Sequence, residues 1–327
     1  MKQIIGIGNA LTDVLAQVSD ENVLRVLALP KGSMQLIDDS RLPDIRRAMK
    51  QMTISRATGG SAGNTMLALA NLGASPAFIG KVGDDETGRF YADNAVSKGI
   101  RPLLIQSRLP SGIAHTFITP DGERTFATYL GAAGDMQPDD LDETMFSGCD
   151  YLYIEGYLVQ NHALIRRAIE LAKAKSAKVC LDLASYNIVA ADHAFFTELV
   201  TESVDVVFAN EEEARAFTGK EAEEALSSLG RLCEIAVVKM GKRGSAILCQ
   251  GERTFVESMP VANVIDTTGA GDFYAAGVMY GLLNGWDMAR CAKAGSLLAG
   301  YVIQVIGTTL PEKAWEEIRT KLLCYRP

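Results

Sequence analysis

Residues 266–283 read DTTGAGDFYAAGVMYGLL, a polar, glycine-rich turn that runs directly into an apolar helix. Gly269, Ala270 and Gly271 carry little or no side chain, so the oxygens of an anion can approach their backbone N–H groups closely. The positive end of the following helix dipole strengthens such a site. Asp272 stands at the start of that helix, where the macrodipole favours a carboxylate and a bound phosphate would lie beside it. A simple N-capping aspartate is the other reading of this position, because Asp is a common cap.

Outward from this turn, short β-rich runs alternate with longer helical ones. QIIGIG (3–8) precedes a helix from about Ser61 to Leu72, AFIGKV (77–82) a helix from about Glu86 to Lys98, and YLYIEG (151–156) a helix over 162–175. KVCLDL, VDVVFA and EIAVVK continue the series. The alternation predicts crossover units, hence an α/β fold of three layers with a mostly parallel sheet flanked by helices. Residues 14–37 and 103–130 break the rhythm with short alternating strands, and Asp121-Gly122 inside IAHTFITPDGERTFATYL is a hairpin signal. These two segments are expected to form a small β lid, with 1–13, 38–102 and 131–327 as the core. A plain edge hairpin is the alternative.

The 327 residues carry a net charge of −8, with 48% hydrophobic and 22% charged residues, the balance of a globular protein. Such an acidic chain is expected to have no nucleic-acid partner. The N-terminal apolar stretch is too short and too broken for a signal peptide, and the uncharged run between Lys293 and Glu312 reads as a buried helix plus turn. A cytoplasmic protein without a membrane partner is therefore expected. The six cysteines form no C-x-x-C pair and read as reduced core thiols, and the three histidines lack metal-ligand spacing. The phosphate loop G-x-x-x-x-G-K-[ST] is absent, and GIGNAL ends in Leu11 where a dinucleotide fingerprint needs glycine.

GGSAGNTMLALANLGASPAFIGKVGDDETGRF (59–90) and DTTGAGDFYAAG (266–277), in that order, resemble the N- and C-terminal signatures of the ribokinase-like (PfkB) carbohydrate kinases. The resemblance spans nearly the whole chain and implies a ribokinase-like fold and an ATP-dependent kinase. It implies that Asp272 is the catalytic base and that Gly269, Ala270 and Gly271 form the anion hole, with Thr268 on the phosphate side. NEEE (210–213) matches the family's Asn-x-x-Glu element, in which Asn210 and Glu213 organise Mg²⁺ and its waters; an acidic helix start offsetting the dipole is the other reading. KMGKRG (239–244) matches a nucleotide-side turn and points to Lys239, Gly241 and Gly244, or to a tight surface hairpin. In 292–308, Ala294, Gly295 and Leu298 would wall the adenine, although helix packing explains the same composition. A monovalent cation such as K⁺ near the Asp266 turn occurs in some family members.

On the acceptor side, Asp13 in GNALTD matches a carboxylate that binds vicinal hydroxyls, with Gly60 and Asn64 lining the same pocket; a turn-forming Asp is the alternative. GNALTD, LPKGSMQLIDD with Gln35, and the ending AGSLLAGYVIQVIGTTLPEK resemble the adenosine kinase branch. There Tyr157 and Tyr186 fall near acceptor-lining positions, and tyrosine suits a base or a sugar. Arg124 in the hairpin is either a lid group over the phosphates or a solvent-exposed side chain. The expected acceptor is adenosine at its 5′-hydroxyl. The alternatives are a sugar kinase of the fructokinase, ribokinase or 2-keto-3-deoxygluconate kinase type, and a catalytically silent nucleoside- or sugar-binding protein. Monomer and homodimer both remain open.

Overall fold

In the computed structural model, which describes residues 2–50, 52–121 and 123–325, fourteen strands follow in chain order. They are β1 (Ile4–Ile7), β2 (Leu11–Gln17), β3 (Met34–Leu36), β4 (Ile54–Gly59), β5 (Ala77–Gly83), β6 (Arg101–Ser107), β7 (Gly112–Ile118) and β8 (Arg124–Tyr129), then β9 (Tyr151–Glu155), β10 (Lys178–Asp182), β11 (Val206–Asn210), β12 (Ile235–Lys239), β13 (Ser245–Cys249) and β14 (Glu252–Val256). Nine of them form one sheet in the order β14-β13-β12-β11-β10-β9-β1-β5-β6. All neighbours pair in parallel except β12–β13 and β13–β14. Strands such as β1, β9 and β5 are buried along their whole length, as a sheet covered on both faces requires. Two apolar clusters account for the two faces, one built on the helices Ser61–Asn71, Ala270–Leu283 and Met288–Val302, the other on His162–Lys173 and His193–Glu202.

The other five strands make a second sheet in the order β3-β8-β7-β2-β4. Its membership corrects the sequence boundaries: residues 11–13 of β2 and the helix Leu42–Met49, expected in the core, belong with this sheet. Ile54–Gly59, expected in the core, pairs antiparallel with β2. Arg101–Ser107, expected to open the lid at its residues 103–107, is the edge strand of the large sheet beside β5. Both are short strands, and only the long-range partner decides which sheet such a strand joins. β7 and β8 pair antiparallel as the hairpin signal required, although Gly122 of that signal lies outside the described residues. Val14, Ala16, Ile113, Phe117, Ala127 and Tyr129 turn one face of this sheet onto the helices Asn22–Val26 and Leu42–Met49. By alternation the opposite face carries Asp13, Arg124, Phe126, Met34 and Leu36.

Candidate active site

The chain leaves β1 for β5 on one side and returns through β9 to β14 on the other, so the topological switch lies between β1 and β9. Ligands of open α/β sheets bind at the carboxyl ends of the strands at such a point. Here those ends bring together Asn9 just past β1, Glu155, Asp182, Asn210 and Lys239, with Glu155 in register with Asp182 and Asn210 with Lys239.

Asp272 lies over this edge. It is the third residue of the helix Ala270–Leu283, whose N-cap is Gly269, so the capping alternative does not hold. Its carboxylate serves another helix: Oδ1 accepts from Ser61 Oγ at 2.7 Å and Oδ2 from Asn64 Nδ2 at 2.8 Å. Burial pushes the carboxyl up to about 7, the Ser61 and Asn64 hydrogen bonds oppose that rise, Asp182 adds to it and Lys239 counters it. A carboxylate poised there suits a general base near neutral pH.

The turn before it has the shape of an anion site. Gly269 is left-handed (φ 75°), and a Cβ there would stand 2.5 Å from Thr308 Cγ2. The Ala270 N–H is taken by the Thr267 carbonyl at 3.2 Å, which leaves the Gly271 and Asp272 amides as the first-turn donors without an intrahelical partner. A Cβ on Gly271 would lie 3.1 Å from Lys239 Nζ, so the ammonium stands beside the turn. Lys239 pairs with Asp182 at 3.2 Å; burial pulls its pKa down, but Asp182 and Glu213 outweigh that and hold it raised.

Asp266 anchors the turn from below, accepting from the N–H groups of Thr268 (3.0 Å) and Gly307 (2.7 Å). Arg124 reaches it from the second sheet, with Nη2 2.8 Å from Asp266 Oδ2 and Nη1 donating to Thr268 Oγ1 at 3.3 Å. At 9% exposure, Arg124 is not the solvent-exposed hairpin residue of the alternative reading. Asn210 and Glu213 form a complete capping box: the Asn210 N–H and Nδ2 each donate to a Glu213 oxygen at 2.7 Å, and the Glu213 N–H donates to Asn210 Oδ1 at 2.9 Å. Burial raises the Glu213 pKa and Lys239 opposes it. Gly241 (φ 54°) and Gly244 (φ 95°) bound the tight turn that joins the antiparallel β12 and β13.

On the other side of Asp272 lies Asp13. Burial pushes its carboxyl up to about 7, against the pull of Arg124, and the Asp272 charge adds to the rise. Gly59 is bare because a Cβ there would fall 2.3 Å from Asp13 Oδ1, and Gly60 (φ 85°) because a Cβ would fall 2.3 Å from the Asn9 carbonyl. Glu155, unforeseen from sequence, is buried and accepts from Asn9 Nδ2 at 2.7 Å and the Ala62 N–H at 3.0 Å. It thereby ties the end of β1 to the start of the Ser61 helix. Tyr157 is half-buried, its hydroxyl donating to the Ala184 carbonyl at 3.4 Å, whereas Tyr186 is 47% exposed at the start of a short helix.

Two expectations need correction. Gln35 pairs with Ala127, a residue of the second sheet's own core, so alternation turns it to the face opposite Asp13; its neighbours Met34 and Leu36, 50% and 52% exposed, face the Asp13 side instead. Ala294, Gly295 and Leu298 do not wall a ligand. Ala294 and Leu298 are fully buried, and Ala294 and Gly295 are packed so tightly on Gly277 and Tyr274 that a Cβ on Gly277 would meet Ala294 at 2.5 Å. Helix packing is thus the reading that holds. Sequence reasoning also missed Ser61, Asp182, Asp266 as the Arg124 partner, and Thr308, whose hydroxyl donates to Asn64 Oδ1 at 3.1 Å. A lone Ser or Thr carries no spacing signal, and strand-end carboxylates converge only once the sheet is ordered.

Comparison with known proteins agrees with this geometry. Residues 32–315 match the pfkB family carbohydrate kinase model. The chain is 29% identical over 287 residues to a 5-dehydro-2-deoxygluconokinase of Geobacillus kaustophilus, covering 82% of this chain and 86% of that protein. It is 27% identical over 316 residues to the Bacillus subtilis protein of the same name, covering 92% and 96%. Among solved structures, a probable sugar kinase from Rhizobium etli (32% identity, TM-score 0.87) and an adenosine kinase from Sinorhizobium meliloti (34% identity, TM-score 0.87) each cover 98% of this chain and are themselves covered to 99%. The fold is thus ribokinase-like, and among the described residues no helix is long and apolar enough to cross a membrane. The chain belongs to the pfkB family of carbohydrate kinases and is a phosphotransferase with an alcohol group as acceptor.

Proposed function

We propose that this kinase transfers the ATP γ-phosphoryl group to the primary hydroxyl of a nucleoside, with adenosine as the leading acceptor. The observation that carries the choice is the face of the second sheet that also carries Asp13: there Met34, Leu36 and the half-buried Phe126, on β3 and β8, form an apolar strip open to solvent. A purine, flat and apolar on both faces, would cover more of that strip than a free sugar, whose ring is smaller and rimmed with hydroxyls. Across the paired strands of this face, Asp13 and Arg124 are the charged side chains, and Arg124 is already paired with Asp266. An acidic acceptor therefore finds Asp13 without a spare cation. A sugar acceptor is the second reading, supported by the names of the curated relatives.

In the mechanism, Asp272 removes the proton of the acceptor hydroxyl as its oxygen attacks the γ-phosphorus, and the bond to ADP breaks in line. Asp13 accepts hydrogen bonds from the vicinal hydroxyls and so orients the nucleophile. The Gly271 and Asp272 amides, with Lys239 beside them, offset charge on the transferring group. Among the described residues no cluster of three or more metal-ligating side chains exists, so a divalent ion has no all-protein cage. The carboxylates of Glu213 and Asp182 each keep spare lone pairs and would hold Mg²⁺ through water. When bound, Mg²⁺ supplies charge neutralisation at the phosphates. A monovalent cation near Asp266 is part of the proposal by resemblance alone.

An acceptor panel tests the choice. Adenosine should show a higher kcat/KM than ribose, fructose, 2-keto-3-deoxygluconate or 5-dehydro-2-deoxygluconate, and 2′-deoxyadenosine should be poorer because half the diol is missing. Efficient phosphorylation of a free sugar, with adenosine neither substrate nor competitor, would overturn the nucleoside reading and leave the kinase standing.

A further inference from the structure

The two oxygens of Asp272 are held from one helix, by residues three apart on it. Ser61 Oγ is 2.7 Å from Oδ1 and Asn64 Nδ2 is 2.8 Å from Oδ2. Behind the asparagine, the buried Thr308 hydroxyl donates to Asn64 Oδ1 at 3.1 Å. An asparagine amide has a carbonyl end and an NH₂ end, and a donor at Oδ1 decides which end faces the carboxylate. Thr308 is itself fixed, since its methyl fills the space above Gly269 where a Cβ would stand 2.5 Å away.

We propose that Ser61 and Asn64 form a two-point clamp that orients the Asp272 carboxylate for the acceptor hydroxyl, and that Thr308 sets the clamp by fixing the Asn64 amide. The proposal rests on Asp272 being the base. Rotation of the carboxylate breaks both hydrogen bonds at once, so its remaining lone pairs point in fixed directions for the acceptor proton. Ser61 and Thr308 act through Asp272 and Asn64, and both are positioning residues.

The clamp also has an electrostatic signature. Facing Asp272 are Ser61 and Asn64 from the helix Ser61–Asn71, Asp182 from β10 and Lys239 from β12, with Asp13 on the second sheet, and the hydroxyls of Tyr153 and Tyr157 feel its charge. The two hydrogen bonds favour the ionised base while Asp182 disfavours it, so removing the Ser61 hydroxyl raises the pKa of Asp272 with its other neighbours in place.

The experiment measures the pH dependence of turnover and the thermal midpoint for wild type, Ser61→Ala, Ser61→Thr, Thr308→Val and Asp272→Asn. Ser61→Ala should lose roughly tenfold in kcat near pH 7, with its acid limb moved up by about half to one pH unit, so that the deficit narrows at pH 9. The KM for ATP should stay within about twofold of wild type, and Ser61→Thr should restore both rate and limb. Thr308→Val should shift the limb in the same direction by a smaller amount. A folded Ser61→Ala enzyme with the wild-type limb, or with a loss that is uniform in pH and not rescued by Thr, overturns the clamp, and a wild-type profile in Thr308→Val removes Thr308 from it. Asp272→Asn separates the two readings: if it keeps its turnover, the base assignment fails, and if it is inactive while Ser61→Ala is normal, only the clamp fails.

Discussion

Asp272 and Asp13 share a property that a sequence shows for neither. Each is a carboxylate whose pKa burial raises to about 7, and each carries an opposing stabiliser, Ser61 and Asn64 for one and Arg124 for the other. The base must be ionised to work, so kcat/KM should climb with pH through about 7 and level off above it; a profile flat from pH 5 to 8 would contradict the base role. Replacing Asp272 with Asn keeps the shape but cannot take a proton, and turnover should fall by roughly 10²–10⁴ with little change in the KM for ATP. The same raised values have a stability consequence. A carboxyl whose folded pKa lies above its unfolded value stabilises the fold while protonated, and that contribution is lost as pH rises from about 4 through 7. Asp13→Asn should therefore raise the thermal midpoint at pH 8, by on the order of 1–3 °C, and change it little at pH 4. Acceptor KM should rise in the same variant. Asp13 was singled out in the sequence by the resemblance of GNALTD to a family motif, but Ser61, which touches Asp272, was not, because a serine at a helix start has an ordinary explanation.

Bare backbone decides how the elements meet at the site. β2 and β4 pair so that Gly59 lies alongside Leu11 and beneath the Asp13 carboxylate, which a methyl group at position 59 would meet at 2.3 Å. Gly59→Ala should displace Asp13 and raise acceptor KM by about tenfold while leaving the KM for ATP nearly unchanged, as steady-state kinetics with each substrate varied will read. Gly271 does the equivalent service on the phosphate side. Its Cβ would point toward Lys239 Nζ, 3.1 Å away, where the proposed mechanism has the transferring group approach the amides. Gly271→Val should lower turnover by about 10² or more, and circular dichroism will show whether the variant is folded. The glycine-rich turn and its helix were plain from the order of residue types. Which of its amides remain free was not, since the Thr267 carbonyl that occupies the Ala270 N–H is set by the turn's conformation.

In the molecule as a whole, the second sheet reaches the large one through Arg124, a guanidinium at 9% exposure that bridges Thr268 and Asp266 while its charge acts on Asp13. One side chain thus touches the turn before Asp272 and influences the Asp13 carboxylate. Arg124→Met removes the cation but keeps most of the apolar stem, and it leaves Asp266 buried without its partner, a loss of about 3–5 kcal/mol in comparable buried pairs. The variant should melt lower and lose turnover by about 10² or more. If the sheet closes over the site, the variant should also hydrolyse more ATP per acceptor phosphorylated, because water is then less well excluded. Unchanged coupling of hydrolysis to transfer would count against such a closing role.

By itself the sequence determined the alternation of strands and helices and the glycine turn ahead of an apolar helix, while resemblance to the family's motifs singled out Asp13, Asn64, Lys239, Glu213 and Asp272. The first two follow from local patterns, hydrophobic period and turn chemistry; taken alone, Asp272, Glu213, Lys239 and Asp13 each had an ordinary reading as a cap, a dipole-compensating charge or a turn residue. Tertiary structure decided that β4 belongs to the second sheet and β6 to the first, that Gln35 faces away from Asp13 while Met34 and Leu36 face toward it, and that Ala294 and Leu298 are core. It also decided that Asp182, Glu155 and Thr308 stand at the site. The physical reason is the same in each case: a strand's face and partner, and a side chain's neighbours, are fixed by contacts between residues far apart in the chain. A one-residue change of register would turn every side chain of a strand to the other face with no change in the pattern that predicted the strand.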